Sequence, residues 1–401
     1  MTSARQFWTE TIAKRLTTQL GTPISQNEIV TPPDKNLGDF AFGCFRLAKE
    51  QKKKPNEIAN QIASGFDGSA LEIASVSAAG PYVNFTLKTG EAVHRVICDI
   101  EQAKDSYGQN TSGQNQELLL EYATLNTHKE AHVGHVRVLS LGAALGHLLE
   151  TNGWKVIRNS YLGDVGAHVA KCLWHLVKKN GFNPNQFGIQ DADKLLHGII
   201  KEQRTGRFLG ETYAESTRAM ENDPEAKQEV SLVLKNLEAH DPAWEKLWKE
   251  TRRWSLDELS AIFEELGTQR IDKQYLESDV VDRGQAIVDE LLKKGIAKIS
   301  QGAVIVDLED VGLGVFLIRK SDGSTLYATK DLALAEQKAK DFPNYARALF
   351  VVDNRQSFYF KQLFETLKRM GFSKRQEFVG FEFVTLKAGA MSSREGNVVT
   401  Y

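Results

Sequence analysis

Apolar positions recur along this chain in two rhythms, and the change between them divides it. Over residues 1 to about 108 the pattern is that of a small α+β module. Ala4 to Leu20 places apolar side chains at helical spacing, as do Ala41 to Glu50 and Asn56 to Ser64, with Lys54-Pro55-Asn56 reading as a break and a cap between the last two. Leu71 to Ala78 and Tyr82 to Leu87 alternate apolar and polar residues, as half-buried strands do. The stretch Ser106 to Gln114 is poor in apolar residues and rich in turn formers, and reads as a linker.

From residue 115 onward strands alternate with helices, which predicts a parallel sheet with right-handed crossovers. Glu117 to Ala123 reads as a strand, Val136 to Glu150 as a helix and Trp154 to Tyr161 as the next strand. Cys172 to Gly267 is mostly helical and contains Trp174, Trp244, Trp248 and Trp254, which read as core positions of an insertion. Short strands follow at Val304 to Val306 and Val315 to Ile318. A helix at Thr329 to Lys338, a strand at Ala348 to Val352 and a helix at Phe358 to Met370 complete the pattern. The expected fold is α/β: a doubly wound, Rossmann-like parallel domain over 115–401 with a mostly helical insertion at about 172–300, preceded by the α+β domain over 1–108.

Composition narrows the setting without naming a function. A length of 401 residues allows two or three domains, and 41% hydrophobic with 25% charged residues is ordinary for a soluble protein. No run of eighteen apolar residues exists, and the N-terminus lacks the apolar core of a secretory signal, so neither membrane insertion nor export is expected. Cys44, Cys98 and Cys172 are odd in number and form no CxxC pair, which leaves reduced thiols in a cytoplasm and no zinc site. The net charge of −2 means that any nucleic-acid contact must use a local patch such as Lys52-Lys53-Lys54.

The chemistry concentrates in two segments. His132-Val133-Gly134-His135 opens the helix that follows the first strand, where free N–H groups and the positive dipole end suit a polyphosphate. Gly134 permits a nucleotide ring to approach the backbone, and the imidazoles can donate to phosphate oxygens. About 260 positions later, Met391-Ser392-Ser393-Arg394-Glu395-Gly396-Asn397 is a small polar loop carrying a cation at Arg394. Such a loop can close over a triphosphate and stabilise departing pyrophosphate.

Together these segments resemble the paired signatures of class I aminoacyl-tRNA synthetases, usually written HIGH and KMSKS. Further stretches resemble arginyl-tRNA synthetases in particular. Glu121 to His135 matches that family's motif at Glu121, Asn126, Lys129, His132 and His135. Val156 to Gly166, Arg319 to Asp331, Val351 to Gln356, Leu37 to Ala41 and Ala79 to Phe85 match as well. The resemblance implies arginine-tRNA ligase activity: arginine and magnesium-bound ATP give arginyl-adenylate and pyrophosphate, and the arginyl group passes to the 3′ end of tRNA(Arg). It also implies that activation needs bound tRNA.

By the same resemblance Glu121 and Asp331 would take the guanidinium, which wants carboxylates in a bidentate arrangement. Tyr327 would border that pocket, and Asn126 and Gln356 would hold the α-amino and carboxylate end. Lys129, His132 and His135 would hold phosphates beside Arg394, with Gly134 under the adenine and Met391, Ser392 and Ser393 over the nucleotide. Asn84, Lys52 and Lys53 are candidate tRNA contacts. Ala390 and Arg394 depart from the second signature and shift catalytic charge to Lys129; Leu125, His128 and Glu130 depart from the first, and Glu130 is an odd neighbour for a triphosphate. Members of the family continue into a helical anticodon-binding domain, so a partial chain is expected, as is a monomer. The rivals are a class I synthetase for another amino acid, cysteine first, and a non-catalytic tRNA-binding paralogue.

Overall fold

In the computed structural model, which describes residues 4–67, 73–221, 223–268, 271–382, 384–386, 389–390 and 399–401, the chain divides into two units, Met1–Asn110 and Thr111–Tyr401. The first contains α1 (Ala4–Leu20), β1 (Ile29–Val30), β2 (Phe40–Gly43), α2 (Phe45–Gln51), α3 (Pro55–Gly65), β3 (Ile73–Ala79), β4 (Tyr82–Leu87) and α4 (Thr89–Ala103). Its sheet is antiparallel in the order β1-β2-β4-β3. Phe40 and Phe42 pair with Phe85 and Val83 across β2 and β4, and all four are buried against Trp8, Ile12 and Leu16 of α1 and Ile58 and Ile62 of α3.

The helix expected over Ala41 to Glu50 is therefore wrong in its first half. Phe40-Ala41-Phe42-Gly43 forms a ladder between two neighbours, and only Phe45 to Gln51 is helical. Tertiary pairing overrides the helical spacing there. The start of α3 is set by Pro55 at its first turn, after Lys54, whose side chain makes no cap. Leu71 and Glu72 of the expected strand lie outside the described residues; β3 runs from Ile73.

The second unit contains β5 (Glu117–Ala123), α5 (Val133–Thr151), β6 (Lys155–Leu162), α6 (Ala167–Lys179), α7 (Ile189–Gly198), α8 (Gly206–Met220), α9 (Pro224–Glu238) and α10 (Pro242–Glu265). There follow β7 (Lys273–Leu276), α11 (Val281–Lys293), β8 (Ala297–Ser300), β9 (Ala303–Asp307), β10 (Val315–Arg319), α12 (Tyr327–Asp341), β11 (Tyr345–Asp353), α13 (Ser357–Arg369) and β12 (Arg375–Phe381). Five strands form a parallel sheet in the order β12-β11-β5-β6-β7. From β5 the chain winds to one side through β6 and β7, and from β11 to the other through β12, so the order reverses between β5 and β11. Open α/β sheets form their binding crevice at such a point, outside the carboxyl ends of the strands.

Helices α6 to α10 have a core of their own around Trp174, Trp244 and Trp254. Asp241 caps α10 by accepting from the amides of Ala243 and Trp244, and Pro242 occupies its first turn. The helical stretch expected to about residue 300 gives way sooner: α10 ends at Glu265 and β7 rejoins the parallel sheet. The strands expected at Val304 and Val315 form, but in a separate antiparallel sheet, β10-β9-β8. No helix among the described residues is long and apolar enough to cross a membrane.

The packing of α5 on β5 is close. A Cβ at Gly142 would lie 2.0 Å from the ring of Tyr122, which is itself fully buried in β5. Gly142→Ala is expected to lower the stability of the unit by about 2–3 kcal/mol, as overpacking does. A denaturant midpoint unchanged from wild type would contradict this packing.

Candidate active site at the sheet switch point

The carboxyl ends of β5, β6 and β11 open onto a cavity of about 290 Å³. Glu121, in β5 and paired in register with Phe350 of β11, sits at the point where the strand order reverses. Tyr327 lies in the first turn of α12, and Asp331 one turn further on the same face. Asn126 lies in the loop after β5, held by a bridge to Gly163, and Gln356 immediately precedes α13. Glu121, Asn126, Tyr327, Asp331 and Gln356, which sequence reasoning assigned to the two ends of one ligand, all line this cavity. A Cβ at Gly163 would lie 2.2 Å from the Asn126 side-chain oxygen, so a larger residue there would displace that side chain.

Residues that sequence reasoning missed also line it: Tyr161, Glu277, Lys338 and Tyr359. Three carboxylates meet the cavity, and two of them are already matched. Lys338, only 3% exposed, donates to Glu121 Oε2 at 2.5 Å. Lys330 donates to Glu277 Oε2. Asp331 instead accepts from the Tyr359 hydroxyl. Burial pushes the Asp331 carboxyl up to about 7; the Tyr359 bond pulls it down, and the charges of Glu121 and Glu277 push it further up. Burial likewise raises Glu277, against the pull of Lys330. Among the described residues, Glu121 and Glu277 are thus each paired with a lysine and Asp331 is not.

At the other end of the loop from Asn126, α5 begins at Val133, three residues before the expected start at Val136. The correction comes from the cap. His132 is the N-cap: its Nδ1 accepts from the Gly134 amide at 3.1 Å, while its own amide donates to His135 Nδ1 at 3.1 Å. The two rings stack with centroids 3.7 Å apart. Burial lowers both imidazoles, His135 to about 3, with the charge of Lys129 adding to the effect. Both rings are therefore neutral near pH 7. With each Nδ1 accepting an amide hydrogen, the tautomer assigned by this network carries its proton on Nε2, where it can be donated outward.

The departures in the loop have structural partners. Leu125 is buried, and His128 is buried with φ +58°. The His128 amide donates to Ser255 Oγ at 3.0 Å, its Nε2 lies 2.9 Å from Thr251 Oγ1, and its Nδ1 lies 2.9 Å from Thr127 Oγ1. Glu130 turns to Arg207 of α8, 3.6 Å away, and Lys129 lies 5.1 Å from the ring of Tyr213 of the same helix. The next loop is tied to α10 as well: Asp164 accepts from Arg252 at 2.9 Å and from both the amide and hydroxyl of Ser278, and the Trp248 indole donates to its carbonyl.

Met391, Ser392, Ser393 and Arg394 lie outside the described residues. Beyond them, the Val133 amide donates to the Val399 carbonyl and the Tyr401 amide to the Ala131 carbonyl, both at 3.0 Å. In the first unit, Lys52 and Lys53 are exposed, whereas Asn84 is only 3% exposed within β4, with no partner for its amide nitrogen among the described residues. Among the described residues no group of three or more His, Cys, Asp or Glu side chains is arranged to hold a metal ion.

A doubly wound sheet with this crevice and a histidine-capped helix beside it is the architecture of a class I synthetase catalytic domain. The family model described as tRNA synthetases class I (R), catalytic domain, matches residues 97–401, and that described as Arginyl tRNA synthetase N terminal domain matches residues 6–87. The chain belongs to the arginyl-tRNA synthetase family. It is 36% identical over 382 residues to the arginine–tRNA ligase of Bdellovibrio bacteriovorus, covering 92% of this chain and 61% of that protein. To the arginine–tRNA ligase of Clostridioides difficile it is 33% identical, covering 92% and 62%. The chain thus spans about six tenths of the length of these relatives. The Thermus thermophilus arginyl-tRNA synthetase shares its fold, with a TM-score of 0.65 at 22% identity, over 99% of this chain and 68% of that one.

Proposed function

We propose that this chain carries the arginine-activating site of an arginine-tRNA ligase. The observation that carries the reading is the convergence of Glu121, Asn126, Tyr327, Asp331 and Gln356 on one cavity where, among the described residues, Glu121 and Glu277 are each paired with a lysine and Asp331 is not. A cavity so balanced calls for a ligand end with a single positive charge, and a planar guanidinium meets that need while offering five donors. Asn126 and Gln356 take the α-amino and carboxylate end, which directs the carboxylate toward the loop leading to α5.

ATP enters as its magnesium complex. An oxygen of the arginine carboxylate attacks the α-phosphorus, the bond from that phosphorus to the bridging oxygen breaks, and pyrophosphate leaves. The Nε2–H groups of His132 and His135, the charge of Lys129 and that of Arg394 stabilise the phosphate oxygens, while Gly134, Met391, Ser392 and Ser393 enclose the nucleotide. A ribose hydroxyl of the terminal adenosine of tRNA(Arg) then attacks the arginyl carbonyl and AMP departs. Asn84, Lys52 and Lys53 remain candidate tRNA contacts, the first only if β4 opens its amide to the ligand. The setting is cytoplasmic and the working species a monomer.

The test is exchange of labelled pyrophosphate into ATP by the full-length protein, with and without tRNA. Exchange that requires arginine and is stimulated by tRNA is expected. Exchange independent of arginine, or none under either condition, sinks the reading.

A further inference from the structure

Three buried hydroxyls or amide oxygens on β6 lack a partner among the described residues: Asn159 Oδ1, Ser160 Oγ and Tyr161 Oη. Only one of these side chains lines the cavity, that of Tyr161. Its residue is 9% exposed, it sits near the carboxyl end of β6, and its neighbour two positions back, Asn159, is in register with Glu121. Burying a hydroxyl without a partner costs free energy, and native structures keep few such groups without a reason. Tyr359, which lines the same cavity, has no such defect, because its hydroxyl is given to Asp331.

The donor count supplies a reason. A guanidinium brings five N–H groups. Glu121 Oε2 already holds Lys338, Glu277 Oε2 holds Lys330, and Asp331 Oδ2 holds Tyr359. The second oxygen of each carboxylate remains, three carboxylate oxygens with no donor among the described residues set against five N–H groups. A further neutral acceptor adds a bond without adding negative charge beside Asp331. We infer that Tyr161 is a further ligand-contacting residue, its hydroxyl oxygen accepting an N–H from the guanidinium of the bound amino acid. The inference rests on the arginine-binding reading of the cavity. Burial and the surrounding carboxylates of Asp331, Glu277, Glu121 and Asp164 hold the phenol far above its ordinary pKa, so the group stays a hydroxyl throughout the working range.

Tyr161→Phe removes the oxygen and keeps the ring. In full-length protein, calorimetric titration with L-arginine is expected to show affinity lower by about ten- to a hundredfold, the effect of one hydrogen bond to a charged group. The KM for ATP in pyrophosphate exchange stays as in wild type. The thermal midpoint of the ligand-free variant is unchanged or higher, because the deleted hydroxyl had no partner. Agmatine, which keeps the guanidinium and lacks the carboxylate, is the second probe, and its binding weakens by the same factor. Equal arginine affinity in variant and wild type overturns the inference. So does a fall in the ligand-free midpoint that accompanies the loss of affinity, or a loss confined to arginine and absent for agmatine. If wild-type protein fails to bind arginine at all, the reading of the cavity fails first, and Tyr161 with it.

Discussion

Replacing Asp331 by asparagine is expected to abolish measurable arginine binding and, at the same time, to make the ligand-free protein more stable at pH 8. The first effect follows from charge: among the described residues Asp331 forms no ion pair and is bonded to Tyr359 instead, which leaves its charge for the ligand. The second follows from its titration. Its folded pKa is pushed up to about 7, above the ordinary 3.8. Between those values the folded state holds a proton that the unfolded chain releases, so stability falls as pH rises from about 4 to about 7, and the deficit persists above. Three pKa units would correspond to roughly 4 kcal/mol. Because Asp331 is only partly buried, solvent screening lowers this, and about 1–2 kcal/mol is the expected gain for the asparagine variant at pH 8. Asparagine can still accept from Tyr359. The linked effect in wild type is that arginine affinity rises with pH up to about 7 and then levels, since the guanidinium must displace the proton. Urea unfolding at pH 5 and pH 8, with calorimetry alongside, measures all of this; an asparagine variant less stable than wild type at pH 8 would falsify it.

Lys338→Met is expected to cost about 3–5 kcal/mol, the usual penalty for removing one partner of a buried ion pair. Lys338 donates to Glu121 at 2.5 Å, both side chains are buried, and methionine leaves the carboxylate without its cation. The double variant Lys338→Met with Glu121→Gln removes the orphaned charge and should regain most of the stability without regaining arginine affinity. That asymmetry separates a folding role for the pair from the ligand-binding role of Glu121. A single variant as stable as wild type would show that Glu121 has another compensating partner.

Where local pattern and final structure agree, the sequence was readable. α1 has the bounds its apolar spacing predicts, Ala4–Leu20, and β5, β6 and α13 lie within a residue or two of expectation. The strand β2 was misread because Phe40-Ala41-Phe42-Gly43 runs into the helix at Phe45 with no turn former beyond Gly43. β12 was missed because, among the described residues, it pairs on one side only and is half exposed, so its polar residues conceal any alternation. In the candidate site, residues carried by motifs converge, whereas those defined by pairing across the fold were invisible. Lys338 sits among Glu336, Gln337 and Lys340, a stretch that reads as a solvated helix face, and only the sheet beneath buries it. Glu277 reaches the cavity because β7 pairs with β6, a contact between segments more than a hundred residues apart. The Tyr161 hydroxyl carried no signal, since an unpartnered group is defined by what surrounds it.

His128 fixes the shape of the loop that connects the two halves of the site, and its partners Ser255 and Thr251 stand 127 and 123 positions away. Contacts of that separation form after local ones, because the entropy of closing the intervening chain must first be overcome. The pairing of β11 with β5 spans a longer stretch of chain still, so the loop and the centre of the sheet both belong to the non-local part of folding. Damage far from the cavity, in the helix that carries Thr251 and Ser255, is then felt at Asn126 to Lys129 through the shape of this loop.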